Sequence, residues 1–527
     1  MPARPILVAA LLVAPILLAL ATGATAATAR GHVYLDHNEN QQRDEGEPGL
    51  GGVGVSNGRD IVTTDADGRY AIDVDDDTIV FVIKPRGFRT PVDENQLPRF
   101  YYIHKPAGSP PLRYPGVAPT GDLPEAIDFP LYPQSEPERF HALLFGDTQP
   151  RNQEEIDHFA HDVVEELIGT DAAFGVTLGD IMYDDLALFG SLNRTIALVG
   201  IPWYNVIGNH DLNFDAPDDR LSDETFEATY GPPYYSFDHG PVHFLVLDDV
   251  IWKGAVTDPD AYPGGNYIGG FDERQLAFIE NDLARVPESK LIVLMMHIPL
   301  TGGFDDDLRQ RLYRLIEQRP HALSISAHHH AHEHRFITRE DGWRGPEPHH
   351  HVITVTTCGS WWAGAPDEEG IPHATMYDGT PNGWMVVTFD GHESTMDYRA
   401  ARRPADHQML IWAPEEVASS AAAETELLVN VFNGSERSRV WYRLGQAGAW
   451  TEMERVIRPD PYYLAMKKLE EGDSPPPGRR LPKPQDSRHL WRAMLPADPP
   501  VGTHLIEVRT VDMWDREHRD HRVIRVD

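Results

Sequence analysis

The chain has 527 residues, of which 41% are hydrophobic and 24% charged, and its formal net charge is -36. At roughly 150 residues per domain this length favours about three domains, and the composition is that of globular domains rather than of a disordered chain. The acidic balance, without a long run of Lys and Arg, argues against a partner that is a nucleic acid or an anionic lipid, because like charges repel. If the substrate is an anion, bound cations are the expected attractor.

The N-terminus has the features of an export signal. Arg4 provides a positive start, residues 6–22 are almost all apolar, and residues 24–26 offer a small-residue cleavage site. An uncleaved anchor is the alternative, since the apolar run is nearly long enough to span a bilayer. We expect residues 1–26 to be a cleaved signal peptide, with no membrane span after its removal. The single cysteine, Cys358, excludes an intramolecular disulfide, so an exported chain of this kind is expected in the bacterial periplasm or medium.

Residues 27–104 alternate apolar and polar positions in short runs, which predicts a β-sandwich-like domain. Within it, oxygen-bearing side chains recur at the spacing of a calcium loop. They are Asp36, Asn38, Asn40, Asp44 and Glu47. Gln41 stands where a helix-flanked calcium loop needs Gly, and a strand pattern precedes the run. The stretch instead resembles the B-type repeats of bacterial surface proteins, which implies structural calcium; a solvated acidic loop is the alternative.

The rest of the chain divides into three segments. Residues 105–138 are rich in Pro, which predicts a linker or extended strap. Residues 139–400 alternate strand and helix patterns, which predicts an α/β catalytic core. Residues 401–527 return to a β pattern, which predicts a second all-β, sandwich-like domain.

Five short polar blocks follow strand patterns of the predicted core, at residues 147–149, 179–185, 208–211, 297 and 327–330. In α/β folds, functional groups gather at the carboxyl ends of strands, so we expect the five blocks to meet. They contain seven side chains that can bind a divalent cation. These are Asp147, Gln149, Asp180, Asn209, His297, His328 and His330.

The blocks resemble the pattern of the calcineurin-like metallophosphoesterases. That pattern is Asp-x-His, Gly-Asp-x-x, Gly-Asn-His-(Asp/Glu), a later His and Gly-His-x-His. The three-part layout is similar to that of bacterial members with N- and C-terminal β-domains, and residues 359–362 resemble their Gly-Ser-Trp-Trp segment. The resemblance implies a core of two β-sheets sandwiched between helices, and a hydrolase that acts on phosphoric ester bonds at a binuclear metal centre.

Ligand roles follow from the resemblance position by position. It implies two divalent or transition metal ions (Mn, Zn, Fe or Mg), one of them held by Asp147, Gln149, Asp180 and His330. Asp180 would bridge to the second ion, which Asn209, His297 and His328 would complete. A metal-bridging hydroxide would attack phosphorus. His210 would protonate the leaving oxygen as general acid, with Asp211 orienting its ring.

Some residues depart from the family pattern or have two interpretations. Gln149 replaces the usual His, and its harder oxygen favours Mn²⁺ or Mg²⁺ at the first site. Ala327 replaces the usual Gly. Tyr183 stands where purple acid phosphatases carry an iron-binding tyrosine, and either binds metal or lines the pocket. We expect one of Asp184 and Asp185 to contact the metal ligands without binding a metal ion itself.

Aromatic and histidine-rich stretches supply the remaining candidates. Trp361, Trp362, Asp378 and Trp384 lie in Gly-rich segments that either close over a substrate or pack against the core. We expect His329 to face away from the metals, and Cys358 to lie in the core. We expect solvated loops for most of the other clustered histidines, which are His332, His334, His349, His350 and His351.

The substrate expected from these features is a small organic phosphate ester. A diester is favoured because the predicted pocket loops are more aromatic than basic. The alternatives are an acid-phosphatase-like phosphomonoesterase, and a surface binding protein with an inactive core in which the β-domains do the work. The sequence does not set the oligomeric state, the metals or the physiological substrate.

Overall fold

The computed structural model describes residues 27–258 and 260–527. The expected signal peptide at 1–26 lies outside the described residues. Within the described ranges, no helix combines the length and the apolar character needed to cross a membrane.

Two four-stranded sheets form the N-terminal β-sandwich, with strand orders β4-β1-β8-β6 and β3-β2-β5-β7. In β4 alternate residues are buried, as expected of a strand with one face on a core and one in water. The last strand, β8, lies within the Pro-rich segment and pairs in parallel with β1, so this segment returns to the N-terminal sheet. The strands are β1 Ala27–Leu35, β2 Gly54–Ser56, β3 Ile61–Thr63, β4 Arg69–Val74, β5 Thr78–Ile83, β6 Phe88–Arg89, β7 Tyr101–His104 and β8 Phe129–Pro133.

Two larger sheets form the core, with orders β11-β10-β9-β20-β21 and β12-β13-β16-β17-β19-β18, beside a separate ribbon of β14 and β15. Strands β10, β13 and β16 are buried along their whole length, as expected where both faces of a sheet are covered. The strands are β9 Arg139–Phe145, β10 Phe174–Leu178, β11 Trp203–Val206, β12 Tyr235–His239, β13 Val242–Val246, β14 Val250–Trp252, β15 Tyr267–Gly269, β16 Leu291–Met295, β17 Ala322–Ser326, β18 Glu333–Ile337, β19 His349–Ile353, β20 Gly383–Asp390 and β21 Glu393–Ala400.

Helices cover the outer faces of these two sheets, and the inner faces meet through aromatic contacts. Phe140 and Phe174 of the first sheet both pack on Phe244 of the second, with ring centroids 6.4 and 5.2 Å apart. The first helical segment has a π-helical turn at residues 160–164 between two α-helical parts. The core helices are α1 Gln153–Phe159, α2 Glu165–Leu167, α3 Phe189–Ile196, α4 Glu224–Tyr230, α5 Glu273–Leu283 and α6 Asp306–Ile316.

A second β-sandwich follows the core, with sheets β22-β24-β28-β27 and β23-β30-β29-β25-β26 around their own apolar cluster. Its elements are β22 Met409–Trp412, β23 Glu416–Val417, β24 Glu426–Val431, β25 Arg439–Leu444, β26 Thr451–Glu452, β27 Glu454–Pro459, α7 Pro461–Glu470, β28 Asp486–Met494, β29 Gly502–Val511 and β30 Glu517–Val526. An α/β core flanked by two β-sandwich domains is therefore the architecture, which confirms the predicted fold class, and the second sandwich also contains helix α7.

The clustered histidines differ from the solvated loops that we expected. His334 and His350 lie on the paired strands β18 and β19, with ring nitrogens 3.0 Å apart. The Oδ1 atom of Asn433, from the C-terminal domain, lies 2.9 Å from Nε2 of both His332 and His334. His349 and His351 are also buried. His332 and His334 thus join the core to the C-terminal domain, whereas His349 and His351 lie 2.8 Å from Ser324 Oγ within the core.

Candidate metal centre

The five polar blocks follow the parallel strands β9, β10, β11, β16 and β17, whose carboxyl ends meet at one edge of the two sheets. Several of their residues adopt left-handed backbone conformations that cost a non-Gly residue about 1–3 kcal/mol each. The φ angles are 36° at Asp147, 34° at Gln149, 49° at Asp180, 68° at His328 and 49° at His330. Strain of this kind persists where the surrounding structure fixes the position of functional side chains.

His297 lies at the centre of the cluster. Its Nε2 atom is 3.2 Å from Asp180 Oδ1, 3.0 Å from Asn209 Oδ1 and 3.0 Å from His328 Nδ1. Its other ring nitrogen, Nδ1, donates to the carbonyl of Leu178 at 2.9 Å, which leaves Nε2 free to act as a ligand. A similar contact orients His330, whose Nδ1 lies 2.6 Å from the carbonyl of Gly359.

The backbones of Gly208 and Asp180 lie close together in this cluster. A Cβ atom at Gly208 would lie 2.0 Å from the backbone nitrogen of Asp180, so a larger residue would displace Asp180 and its carboxylate. This glycine is therefore required by the site itself.

Asp147 is fully buried, and only one of its two carboxylate oxygens has a hydrogen-bond partner. The backbone N–H of His328 donates to its Oδ2 atom at 3.0 Å, whereas Oδ1 has no hydrogen-bond partner. Burial, together with repulsion from Asp180, raises the pKa of Asp147 to about 8. A cation bound at Oδ1 would remove this penalty, so the residues present fit a metal ion.

The charges of the neighbouring groups support the same conclusion. Burial opposes protonation of His297, but the Asp180 carboxylate outweighs it and raises the pKa of His297 to about 10. The carboxylates thus attract a positive charge to Nε2, and a metal ion bound there would take the place of that proton. Burial likewise opposes ionisation of Asp180, yet His297 and His210 hold its pKa well below the usual range. Burial lowers the pKa of His330 to about 4, which keeps that imidazole neutral and able to bind metal.

Gln149 is oriented differently from a metal ligand. Its Nε2 atom donates to Asp180 Oδ2 at 2.7 Å, while its carbonyl oxygen lies 3.8 Å from Cys358 Sγ. An amide nitrogen does not bind metal, so the expected role requires the amide to be turned over. In this orientation, Gln149 is a hydrogen-bond donor to the Asp180 carboxylate.

The partner of His210 differs from the one that we expected. His210 Nδ1 lies 2.6 Å from Asp184 Oδ1, and its Nε2 faces the metal cluster, 3.9 Å from Asp180 Oδ2. Asp211 does not orient the ring, because its carboxylate accepts the backbone N–H groups of residues 181, 182 and 208. Asp211 therefore holds two of the site loops together, and Asp184 orients His210.

A cavity of about 500 Å³ opens over the cluster. Tyr262, Tyr267 and Trp361 line it, and the Trp361 ring stacks 4.0 Å from that of His330. None of the described residues that line this cavity is a Lys or an Arg. Tyr183 stacks on the His210 ring at a centroid distance of 4.8 Å, and is not among the residues that line the cavity.

Three expected pocket residues lie elsewhere. Trp362 is buried, and its indole N–H donates to the carbonyl of Thr148. Asp378 is buried beside His489, with 3.0 Å between Oδ2 and Nε2. Trp384 is buried within β20. Each packs or bonds within the protein, so of the four candidates only Trp361 lines the cavity.

In the candidate calcium loop, the side-chain oxygens accept hydrogen bonds from groups of the loop itself. Asp36 accepts the N–H groups of Glu39 and Gln41, and Glu47 accepts those of His37 and Asp44. The Asn38 and Asn40 amides donate to Asp44 Oδ2 at 2.8 and 2.9 Å. The calcium site stays a prediction.

A second convergence of carboxylates, formed by Asp77, Glu224 and Glu227, already contains a cation. Lys105 Nζ lies 2.8 Å from Asp77, 2.5 Å from Glu224 and 3.4 Å from Glu227. The lysine ammonium thus supplies the positive charge that a metal would otherwise bring.

Comparison with known proteins matches both flanking regions to one family. The family model described as the N terminal of calcineurin-like phosphoesterase matches residues 37–112, and that described as the C terminal of calcineurin-like phosphoesterase matches residues 351–518. No curated protein matches the chain.

Similar solved structures include a purple acid phosphatase, PPD1, from yellow lupin (Lupinus luteus) seeds. It is 14% identical, with a TM-score of 0.35, over 66% of this chain and 66% of that one, slightly under two thirds of its length. CopC from Methylosinus trichosporium OB3b is 12% identical, with a TM-score of 0.13, over 23% of this chain and 93% of that one. Over these two regions the chain is therefore similar to the N- and C-terminal parts of calcineurin-like phosphoesterases.

Proposed function

We propose that this chain is an exported phosphodiesterase that works with two metal ions. The observation that carries the proposal is the convergence of ligand-type side chains from five strand ends beneath a cavity with aromatic walls. Asp180, His297 and His328 place ligand atoms within 4.8 Å of one another. Asp147, with its unpartnered oxygen, adds the further buried carboxylate that a second ion needs.

The metal ions would be held by Asp147, Asp180, Asn209, His297, His328 and His330, with Gln149 joining them if its amide is turned over. Two such ions polarise the phosphoryl oxygens and lower the pKa of water, which supplies the nucleophile. Carboxylate, amide and imidazole donors together suit Mn²⁺, Zn²⁺, Fe or Mg²⁺.

The protein's own contribution to bond cleavage comes from His210. Its Nε2 faces the cluster, and Asp184 accepts from Nδ1, which fixes the ring and favours its protonated form. Burial opposes protonation, but Asp180 and Asp184 outweigh it and raise the pKa of His210. His210 therefore donates a proton from Nε2 to the leaving oxygen as the phosphorus–oxygen bond breaks.

The cavity favours a diester over a monoester. A monoester dianion presents one more negative charge than a diester, and the described lining offers it no Lys or Arg. Tyr262, Tyr267 and Trp361 instead offer apolar surface to the organic groups on either side of phosphorus.

Substrate comparison tests this proposal. The metal-loaded enzyme is expected to have a higher kcat/KM for bis-p-nitrophenyl phosphate than for p-nitrophenyl phosphate. A preference for the monoester would favour the acid-phosphatase-like alternative. Metal content without turnover of either ester would favour a binding protein with an inactive core.

Export is a separate part of the proposal and rests on the N-terminal sequence. Expression in a bacterium should yield a mature protein that begins near residue 27 in the periplasm or medium, as N-terminal sequencing would show. Retention of Met1 in the purified protein would contradict this part.

A further inference from the structure

Tyr262 lies on a loop that reaches over the metal centre. Strands β14 and β15 form a ribbon that is separate from the two large sheets, and residues 253–266 connect them. The base of the loop is closed by the backbone N–H of Lys253, which donates to the Asn266 carbonyl at 2.8 Å. The Asn266 amide adds a bond to the Gly254 carbonyl at 2.8 Å. The loop therefore leaves and rejoins the ribbon at a fixed place.

The hydroxyl of Tyr262 reaches the pair formed by Asp184 and His210. It donates to Asp184 Oδ1 at 2.7 Å and lies 3.0 Å from His210 Nδ1. Asp184 and His210 are themselves 2.6 Å apart, so the three polar atoms are in mutual contact. A side chain from a separate ribbon thereby contributes to holding the His210 ring in place.

The ring of Tyr262 has a second role. It packs edge-on against Phe214, with centroids 6.2 Å apart, and it lines the cavity beside His210. It is 45% exposed, so part of its surface is free to contact a bound group. Because His210 faces the leaving oxygen in the proposed function, the group that Tyr262 would contact is the leaving alcohol.

A positioned proton donor matters only for some esters. An acidic phenol leaves as a stable anion, whereas an aliphatic alcohol leaves as a poor alkoxide unless it is protonated as the bond breaks. We propose that Tyr262 positions His210 for this proton transfer, and that the substrates of this chain are phosphodiesters of aliphatic alcohols. This inference rests on the proposed phosphodiesterase function.

The reaction balances with water as the only co-reactant. A water oxygen forms a bond to phosphorus as the bond to the leaving oxygen breaks. The electron pair of the broken bond stays on the leaving oxygen, which takes a proton from His210 Nε2 and departs as the alcohol. The water releases one proton to solvent, and solvent returns one to His210.

Tyr262→Phe tests the inference, because it removes the hydroxyl and keeps the ring. Two diesters are compared in the metal-loaded enzyme. They are bis-p-nitrophenyl phosphate, which releases a phenol, and glycerophosphoethanolamine, which releases an aliphatic alcohol. We expect kcat for the aliphatic diester to fall about tenfold, the size expected of one hydrogen bond, and kcat for the aryl diester to change less than about twofold. KM should change little, because the ring remains.

Tyr234→Phe is the matched control. The Tyr234 hydroxyl donates to the carbonyl of Gly58 at 2.7 Å, away from the metal centre, so its loss should leave both kcat values unchanged. Tyr262→Ala also removes the ring and should in addition raise KM for the aliphatic diester.

The outcomes separate this inference from the proposed function. If the wild-type enzyme hydrolyses neither diester, the proposed function fails. If it hydrolyses only the aryl diester, the assignment of aliphatic substrates is overturned. If it hydrolyses both, and Tyr262→Phe slows both equally or slows neither, the positioning role of Tyr262 is overturned.

Discussion

Replacing Asp184 by Asn is expected to slow hydrolysis of esters with poor leaving groups and to spare those with good ones. The Asp184 carboxylate lies 2.6 Å from His210 Nδ1, a charge-assisted contact of the kind worth about 1.5–3 kcal/mol. At about 1.4 kcal/mol per factor of ten, its loss predicts a reduction in kcat of roughly 10- to 100-fold on an aliphatic diester. Bis-p-nitrophenyl phosphate should be affected far less, because its leaving group needs little protonation.

Asp211→Asn is the matched comparison, since both changes remove one carboxylate near His210. Asp211 accepts three backbone N–H groups, so an Asn there should lower the thermal midpoint of unfolding and reduce turnover of both diesters alike. Steady-state kinetics on the two substrates, with metal content measured for each variant, separates the roles. A leaving-group-selective loss in Asp211→Asn, or an unselective one in Asp184→Asn, would refute the assignment of Asp184 as the partner of His210.

Three further predictions concern stability and binding. Burial opposes protonation of His243, but Asp282 and Asp238 outweigh it and raise its pKa from 6.5 to about 9. The raised pKa contributes about 3 kcal/mol to the free energy of unfolding. This stabilisation is fully present below pH 6.5 and is lost as pH rises through 9. Denaturation measured from about pH 6 to about pH 10 should therefore show the loss in wild type and not in His243→Gln. Trp361→Ala should raise KM for aryl diesters severalfold with metal content unchanged; an unchanged KM would remove Trp361 from the pocket. Calcium should raise the thermal midpoint of wild type but not of Asp44→Ala; equal midpoints with and without calcium would show that the loop binds none.

The general layout of the site follows from local sequence patterns. Apolar strand runs end at polar blocks, and parallel strands bring their carboxyl ends together, so the cluster around His297 and Asp180 was predictable from the sequence. The alternation of strands and helices in the core, and of strands alone on either side, likewise predicted the fold class.

Contacts between segments that are distant in sequence were harder to predict from the sequence. Asp211 is adjacent to His210 in sequence, but the chain turns its carboxylate toward backbone N–H groups, and Asp184 reaches the ring from the preceding block with φ at 70°. From the sequence we expected Asp211 to orient the ring, and Asp184 or Asp185 only to support the metal ligands from behind, so the partner of His210 was not identified. Tyr262 was not identified at all, because it lies in a loop without a motif, and only the folded ribbon brings its hydroxyl to His210.

The buried histidines show the same limit. A polar run such as residues 349–351 is typical of a solvated loop when read alone. In the folded chain it is a strand, β19, beside the neighbouring β18, where His334 also meets Asn433 of the C-terminal domain. The run is buried because β19 lies between β17 and β18, where His349 and His351 contact Ser324 of β17, so long-range pairing overrides the local pattern.

Metal content measured together with diester turnover tests the central claim most directly. Purified wild-type protein, loaded with Mn²⁺ or Zn²⁺ and freed of excess metal, should hold two ions per chain and hydrolyse bis-p-nitrophenyl phosphate. Asp180→Ala should lose both the ions and the activity, because in the proposed centre the two ions would share its carboxylate. Full turnover by that variant, or by wild-type protein stripped of metal, would contradict the account.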